Sequence, residues 1–196
     1  MSGHISRVNI IGAGLSGLSA AITLARAGIA CNLISSQPSE RAQSVLAEGG
    51  INAALDTMGE GDTIESHLKD TMKGGCFLES EEAVSRLTDN APEIVRELES
   101  LGVPFRTHNG KLVQRNFGGQ KKKRTCYAKS STGKVIMTAL TDEARKYEAA
   151  GLIQRFCHHE FLEVLIKEGK CCGALVRDTY SGEDMLFNGP VIMACG

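Results

Sequence analysis

The sequence VNIIGAGLSG at residues 8–17 constrains the fold of this chain more than any other stretch. A short apolar run, suited to a buried strand, breaks into a glycine-rich turn. Apolar residues then recur at every third or fourth position as far as Gly28, which is typical of an amphipathic helix with a glycine at its C-terminus. A second apolar run, IACNLIS, follows at once. Residues 7–35 therefore predict strand, helix and strand with short connections, and hence a parallel pair of strands.

The glycine spacing in this turn indicates a dinucleotide site. Gly-x-Gly-x-x-Gly alone is a weak signal, but between a buried strand and a helix it is a strong one. The first glycine permits the tight turn, the second lets the backbone approach a pyrophosphate, and the third lets helix and strand pack closely. Free N–H groups at the start of the helix attract the phosphates. We therefore expect cofactor contacts from Gly12, Ala13, Gly14, Leu15, Ser16 and Gly17.

The end of the second strand does not identify the dinucleotide. An acidic residue that bonds the ribose is expected about 20 residues after the glycines, whereas this chain has Ser35 and Ser36 there. A serine hydroxyl can bond a ribose but does not repel a 2′-phosphate. Arg41 lies close by in sequence, so NADP remains a rival at this point.

The rest of the chain predicts helices followed by strands. One helix opens with Asp62 as its cap. Two more are expected in SEEAVSRLTDN and APEIVRELESLG, because Pro92 is tolerated in a first helical turn. GKVIMTALTDEARKYEAAG predicts a fourth helix. From Ile153 onward, β-rich runs and a turn at residues 168–169 predict a short antiparallel meander.

Composition excludes several classes of function. A chain of 196 residues with 42% hydrophobic residues can bury a core, and we expect residues 1–196 to form one domain. A formal charge of −1 gives no reason to expect nucleic acid or an anionic membrane surface as a partner. Neither a leader nor an apolar run near the roughly 20 residues of a membrane span is visible. We therefore expect a cytoplasmic protein without a membrane segment.

Cysteine and histidine patterns give no metal site. The seven cysteines are scattered and lack a C-x-x-C pair, which favours reduced and mostly structural thiols. His158 and His159 are adjacent, so on a strand their side chains would point to opposite faces. The basic run at residues 121–124 has no interleaved aromatic residues and is expected to be a solvated loop, with Arg124 as a possible exception.

The stretch SVLAEGGINAAL at residues 44–55 has side chains too small to cover its main chain, which indicates that it binds a ligand. Its small side chains and its diglycine would let main-chain N–H groups reach a flat polar heterocycle. Gln43, Ser44 and Glu48 supply side-chain donors and acceptors.

With this stretch, the chain resembles the flavoprotein subunits of succinate dehydrogenase and fumarate reductase, together with L-aspartate oxidase. The resemblance runs along the whole chain, through IIGAGLSGLSAAITLARAG, RAQSVLAEGGINAAL, GDTIESHLKDTMKGG, RTCYAKSSTGKVIMTAL, GALVRDTYSGE and VIMACG. It implies an α/β fold: a GR-type FAD/NAD(P)-binding Rossmann-like domain with a central parallel sheet, helices on both faces and a small antiparallel β-meander.

The resemblance also assigns site residues. The first glycines would bind the ADP half of FAD, and Phe161 would approach the adenine. The isoalloxazine would lie against the segment from Gln43 and Ser44 to its A-E-G-G motif, which is formed by Ala47, Glu48, Gly49 and Gly50. The closing residues Ala194, Cys195 and Gly196, where relatives carry Ala-Thr-Gly, complete the cofactor set.

Gln43 departs from the family pattern. Respiratory members carry at this position a histidine that bonds covalently to the flavin, so this chain is expected to hold FAD non-covalently. The lack of a covalent link favours fumarate-type reduction over succinate oxidation.

The resemblance places the catalytic groups outside this sequence. The family's dicarboxylate-binding arginines and histidines come from a capping domain and later segments, so no catalytic residue is assigned within residues 1–196. We expect the N-terminal part of an FAD-dependent oxidoreductase that passes a hydride between flavin and a small dicarboxylate, with a possible redox partner subunit. The alternatives are an aspartate oxidase-like or other FAD-dependent enzyme, an NADP oxidoreductase, and a non-catalytic FAD-binding or electron-transfer unit.

Overall fold

The computed structural model describes residues 7–196, which form two compact units. The first unit contains residues 7–45 and 137–196, and the second contains Leu46–Ile136. In chain order the elements are β1 (Val8–Ile11), α1 (Leu15–Arg26), β2 (Cys31–Ser35), β3 (Ile51–Asn52), α2 (Ile64–Gly74), α3 (Glu81–Ser100), β4 (Thr107–His108), β5 (Lys111–Leu112), β6 (Gln114–Arg115), β7 (Thr125–Cys126), α4 (Thr132–Ala149), β8 (Ile153–Cys157), β9 (His159–Lys167), β10 (Lys170–Asp178), β11 (Asp184–Asn188) and β12 (Val191–Met193).

A four-stranded parallel sheet forms the centre of the first unit, with strand order β12-β1-β2-β8. The predicted strand, helix and strand over residues 7–35 are confirmed as β1, α1 and β2. Helix α1 packs against β1 and β2. Its buried face consists of Gly17, Leu18, Ala21, Ile22 and Ala25. Leu18, Ile22 and Ala25 belong to the stripe that the sequence period predicts, whereas Leu15, its first member, is half-buried.

A three-stranded antiparallel sheet, with order β11-β10-β9, covers the other face of the parallel sheet. Ala174, Val176 and Phe187 from this sheet form one buried cluster with Ile11 and Ile34. The predicted α/β fold, with its central parallel sheet and its antiparallel meander, is confirmed.

Apolar residues of β10 and β11 cover the face of the parallel sheet that includes Ile11 and Ile34. The antiparallel meander contains only β9, β10 and β11, whereas the prediction began it at Ile153. The strands β8 and β12 belong to the parallel sheet instead.

Two buried asparagines connect these layers. Asn9 and Asn32 are neighbours in register on β1 and β2, and Asn32 Nδ2 donates to Asn9 Oδ1 at 2.8 Å. Asn9 Nδ2 in turn lies 3.2 Å from the carbonyl oxygens of both Phe187 and Asn188. The amide pair therefore satisfies its own polar groups while linking the parallel sheet to β11.

The second unit contains α2, α3, a hairpin of β4 and β5, and a small antiparallel sheet of order β3-β7-β6. Helix α2 is capped by Thr63, whose hydroxyl accepts from the Ser66 N–H at 3.1 Å. The prediction of Asp62 as the cap is wrong by one residue, because its carboxylate pairs with buried Arg124 instead.

Helix α3 is continuous through Pro92, so the prediction of two separate helices is wrong. A proline inside a helix costs about 3 kcal/mol. The buried stripe on this helix runs unbroken across it, through Val84, Thr88, Ala91, Val95 and Leu98. Burial of that stripe holds the backbone helical despite the missing N–H donor.

No helix within residues 7–196 is long and apolar enough to cross a membrane.

All seven cysteines are free, and Cys31 and Cys126 are buried. The expectation of mostly structural thiols does not hold for the exposed ones, which are Cys76, Cys171, Cys172 and Cys195.

Candidate functional site

The turn between β1 and α1 is built by close backbone approach. Gly12 has φ of +110°, and its N–H donates to the Ile34 carbonyl at 2.8 Å. A Cβ atom on Gly12 would overlap the carbonyl of Ala194. Ala194 is itself held in place, because its N–H donates to the Ile11 carbonyl at 2.7 Å. Only glycine therefore fits where β1 ends.

The N-terminus of α1 faces this turn without a side-chain cap. Its N-cap residue is Gly14, and its first turn contains no acidic residue. Gly17 packs so closely on the turn that an added Cβ would overlap the Gly12 carbonyl. The Leu15 N–H donates to Ser44 Oγ at 3.4 Å. These features leave a helix end with a partial positive charge and N–H donors suited to an anion.

A cavity of about 710 Å³ lies at this turn, within the first unit. Ligand pockets commonly have volumes of roughly 300–1,000 Å³. Predicted cofactor residues make up most of its lining, namely Gly12, Ala13, Gly14, Leu15, Ser16, Ser35, Ser36, Gln43, Ser44, Phe161, Ala194, Cys195 and Gly196. The structure thus gathers into one cavity residues that are far apart in the chain.

The other predicted residues lie elsewhere. Gly17 is in the helix–strand contact behind the turn. Ala47, Glu48, Gly49 and Gly50 belong to the second unit and are not part of the cavity lining.

Sequence reasoning assigned no cofactor contact to several residues of the lining, which are Ile11, Ile34, Gln37, Arg41, Ala42, His159 and Glu160. Arg41 was noted only as an argument for NADP. His158 has φ of +63° between β8 and β9, so the picture of two adjacent histidines on one strand is wrong. The usable signal was the position of His159 and Glu160 immediately before Phe161.

Ser35 presents an acceptor to the cavity. Its hydroxyl donates to the Gln37 carbonyl at 2.6 Å, so the proton is already used within the loop. The remaining lone pairs of Oγ can accept from a hydroxyl group. This acceptor lies at the end of β2, the position at which other dinucleotide sites have an acidic residue.

In the second unit, the segment at residues 47–50 is held from several directions. The Gly133 N–H donates to the Ala47 carbonyl at 2.6 Å, and Arg115 Nη2 donates to the Gly49 carbonyl at 2.9 Å. Thr132, which precedes Gly133, accepts the Ala128 N–H at 3.0 Å. These bonds explain why the sequence spaces alanine, threonine and glycine as it does beyond Arg124.

Arg124 is buried, with its side chain 1% exposed, and it forms the centre of an ion-pair cluster. Its Nε and Nη2 lie 3.1 and 2.6 Å from the two carboxylate oxygens of Asp62, and its Nη1 lies 3.0 Å from Asp70. The expectation that Arg124 differs from the solvated basic loop is confirmed. Of the preceding lysines, Lys123 forms a partly exposed ion pair with Glu60 at 3.0 Å.

His67 lies beside this cluster and is 3% exposed. Burial lowers the pKa of His67 below its ordinary value, and the positive charge of Arg124 acts in the same direction. Asp62 and Asp70 oppose the shift. His67 was expected to be either a surface or a packing residue, and its burial shows that it is a packing residue. Across residues 7–196, no cluster of three or more His, Cys, Asp or Glu side chains is arranged to hold a metal ion.

The parallel sheet, the glycine turn and the N-terminus of α1 define a dinucleotide-binding domain. Residues 7–196 match the family described as FAD binding domain, and the chain belongs to that family. FAD is therefore its cofactor.

Similar proteins confirm the resemblance drawn from the sequence. The succinate dehydrogenase flavoprotein subunit of Bacillus subtilis is 39% identical over 97% of this chain and 33% of its own length. The 8-methylmenaquinol:fumarate reductase flavoprotein subunit of Wolinella succinogenes is 34% identical over 89% of this chain and 28% of its own length. A structure of the E. coli quinol fumarate reductase protein FrdA, in a mutant form, superposes with a TM-score of 0.91 and 31% identity, covering 97% of this chain and 32% of that one. The chain thus spans about a third of the length of these relatives.

Proposed function

We propose that residues 1–196 form a single FAD-binding domain of a succinate dehydrogenase or fumarate reductase type flavoprotein. In the whole protein, bound FAD would transfer a hydride to or from a small dicarboxylate such as fumarate or succinate. The observation that carries this proposal is the cavity at the β1–α1 turn, whose lining includes both the glycines and Gln43.

The phosphate end of the cavity fits a pyrophosphate. Gly12 and Gly14 leave the space that side chains would otherwise fill; the Cβ of an alanine at position 14 would lie 3.2 Å from Ser44 Oγ. The N-terminus of α1 carries no acidic residue that would repel the phosphates. These features support placing the pyrophosphate against the first turn of α1.

The adenosine would lie between the end of β2 and the start of β9. Ser35 would accept from a ribose hydroxyl through its free lone pairs, with Ser36 beside it in the lining. Phe161 supplies an aromatic side chain near the adenine. Ala194, Cys195 and Gly196 would close the cavity along the end of β12.

The isoalloxazine would lie along the chain from Gln43 and Ser44 to the A-E-G-G segment, which consists of Ala47, Glu48, Gly49 and Gly50. Main-chain groups of that segment are fixed by the bonds from Gly133 and Arg115. Fixed backbone dipoles can orient a flavin ring without a side chain between them.

We infer that the flavin is held without a covalent bond. Gln43 is exposed and lines the cavity, and an amide side chain is not a nucleophile that could attach to the ring. This character favours the direction of fumarate reduction. A cytoplasmic location and a redox partner subunit complete the proposal, and the free cysteines support the former, since cytosolic thiols stay reduced.

Acid precipitation of the purified yellow protein tests the attachment. We expect the flavin in the supernatant, with the spectrum of free FAD. The variant Gln43→His is the matched comparison, because it restores the residue of the covalent relatives. Flavin that stays with the precipitated wild-type protein would contradict our assignment, and Cys195→Ser and His159→Gln would then locate the bond.

Oxidation of the reduced flavin by fumarate tests the reaction. We expect the reduced, FAD-loaded whole protein to regain its oxidised absorbance when fumarate is added under nitrogen. The second candidate function is a non-catalytic FAD-binding unit, in which the cavity of the first unit holds FAD. It predicts flavin that binds but is not reoxidised by fumarate.

A further inference from the structure

We propose that Arg115 is a positioning residue for the flavin: it fixes the Gly49–Gly50 peptide so that the Gly50 N–H is presented to the isoalloxazine as a hydrogen-bond donor. This inference rests on the proposed function, because it requires the ring to lie along the diglycine.

Arg115 is held in place by aromatic rings. Its guanidinium carbon lies 4.2 Å from the centroid of the Tyr127 ring and 5.5 Å from that of Phe117. In this position Nη2 donates to the Gly49 carbonyl at 2.9 Å. Phe117 also packs on Gly49 itself, where an added Cβ would lie 2.6 Å from its ring. Arginine and phenylalanine therefore fix the same glycine through its carbonyl and through its bare Cα.

The direction of the Gly50 N–H follows from that bond. In a trans peptide the C=O and the next N–H point in opposite directions within one plane. Because Arg115 takes the Gly49 carbonyl, the Gly50 N–H must point away from Arg115.

The strand register gives the same direction independently. Ile51 pairs with Cys126, and the Ala53 N–H donates to the Arg124 carbonyl at 2.9 Å. Ladder bonds on an antiparallel strand alternate from side to side, so the N–H groups of Ile51 and Ala53 face β7. The N–H of Gly50 then faces the opposite side, which is the unpaired edge of β3 in the order β3-β7-β6.

The charge of Arg115 is directed at this peptide. Its Nη2 donates to the Gly49 carbonyl, and its Nε is buried without a hydrogen-bond partner. A cationic donor on the carbonyl polarises the peptide and strengthens the N–H on its other side. Reduced flavin is richer in electrons than oxidised flavin, so this donor favours the reduced form.

The experiment compares Arg115→Met and Arg115→Lys with Arg86→Met. The control arginine is in the same unit, on the exposed face of α3, where it pairs with Glu82. Three measurements are made on each purified protein. Hydrogen exchange of the cofactor-free protein follows the amides of residues 47–52. A redox titration of the FAD-loaded protein gives the flavin midpoint potential, and a titration of the cofactor-free protein with FAD gives the dissociation constant.

For Arg115→Met we expect faster exchange in residues 47–52, a lower midpoint potential and about a tenfold weaker hold on FAD. Arg115→Lys should recover part of the potential, because it keeps the charge, and Arg86→Met should change none of these values. Unchanged exchange in Arg115→Met would overturn the holding role. Faster exchange with an unchanged potential would overturn the link to the flavin alone, whereas a wild-type protein that takes up no FAD would overturn the proposed function as well.

Discussion

Buried charges in the second unit show what single residues contribute. Arg124 and Asp62 are each 1% exposed at the side chain, and they meet through two parallel hydrogen bonds. Removing one partner of such a pair leaves an uncompensated charge in the interior, which is far more harmful than the loss of a surface pair. The basic run in the sequence conceals this difference, because Lys121 and Arg124 look alike until the fold buries one and exposes the other.

His67 makes the stability of the protein depend on pH. Its pKa in the folded state lies below the ordinary value of 6.5, because burial and Arg124 disfavour the charged ring. The unfolded chain therefore binds a proton more readily than the folded one. The stabilisation is fully present above about pH 6.5 and is lost as the pH falls toward the lower pKa of the folded state.

We expect the melting temperature of the wild-type protein to fall between about pH 7.5 and about pH 5.5 by more than that of His67→Gln. Thermal unfolding followed by circular dichroism measures the difference. His108→Gln is the control, because His108 is exposed on β4. Equal pH dependence in the wild-type protein and His67→Gln would contradict this role for His67.

At the scale of elements, the structure distinguishes a glycine in the β1–α1 turn from one that follows α1. The sequence alone does not show which of the two is harder to replace. Gly12 and Gly28 both have positive φ, +110° and +74°. A Cβ on Gly12 would overlap backbone atoms, whereas a Cβ on Gly28 meets nothing within 4 Å. Both positions bear conformational strain when substituted, but only Gly12 also bears a collision.

We expect Gly28→Ala to lower the free energy of unfolding by about 1–2 kcal/mol, which is the cost of left-handed backbone, and to leave FAD binding intact. Gly12→Ala should lose FAD and destabilise the protein further, because the end of β12 must move. Urea unfolding and the flavin content of the purified protein measure the two effects. FAD binding of wild-type strength by Gly12→Ala would contradict the proposed pyrophosphate position.

Helices and strands could be predicted where the residues that determine them lie within the same segment of the sequence. The strand, helix and strand at residues 7–35 carry their own period and glycines, and their bounds follow from these. Helix α3 was divided at Pro92 because the sequence does not show the packing that keeps it continuous. The position of β9 to β11 across the parallel sheet depends on contacts such as Ile34 with Val176, which join residues distant in sequence and leave no local pattern.

At the scale of the whole molecule, the cofactor should contribute to stability. A ligand that binds only the folded state stabilises it by about 2.7 kcal/mol at a concentration 100 times its dissociation constant. We therefore expect FAD to raise the melting temperature of the flavin-free protein in proportion to the logarithm of its concentration. NADPH is the comparison suggested by Arg41 in the cavity lining. A larger shift with NADPH than with FAD would contradict the proposed use of the cavity.

Most of the cavity lining could be predicted from the sequence, and the glycine turn and Gln43 carry the local part of that prediction. The glycines and Gln43 lie within the first 50 residues and carry recognisable spacing. His159 and Glu160 reach the same cavity only because β2 pairs with β8 and β9 follows directly. Arg115 had no signal at all, since its importance lies in a bond to a glycine carbonyl far along the chain.

The buried amides of Asn9 and Asn32 have a consequence for how the chain assembles. A shift of β1 against β2 by one position would turn Asn9 toward α1, which would leave its donors among apolar side chains and leave Asn32 without its partner. The hydrogen bonds of the pair form only in the native register of β1 and β2, so a shifted register is less stable. Because Asn9 also donates to the carbonyls of Phe187 and Asn188, its amide is fully satisfied only after β11, which is synthesised late, has packed against the parallel sheet.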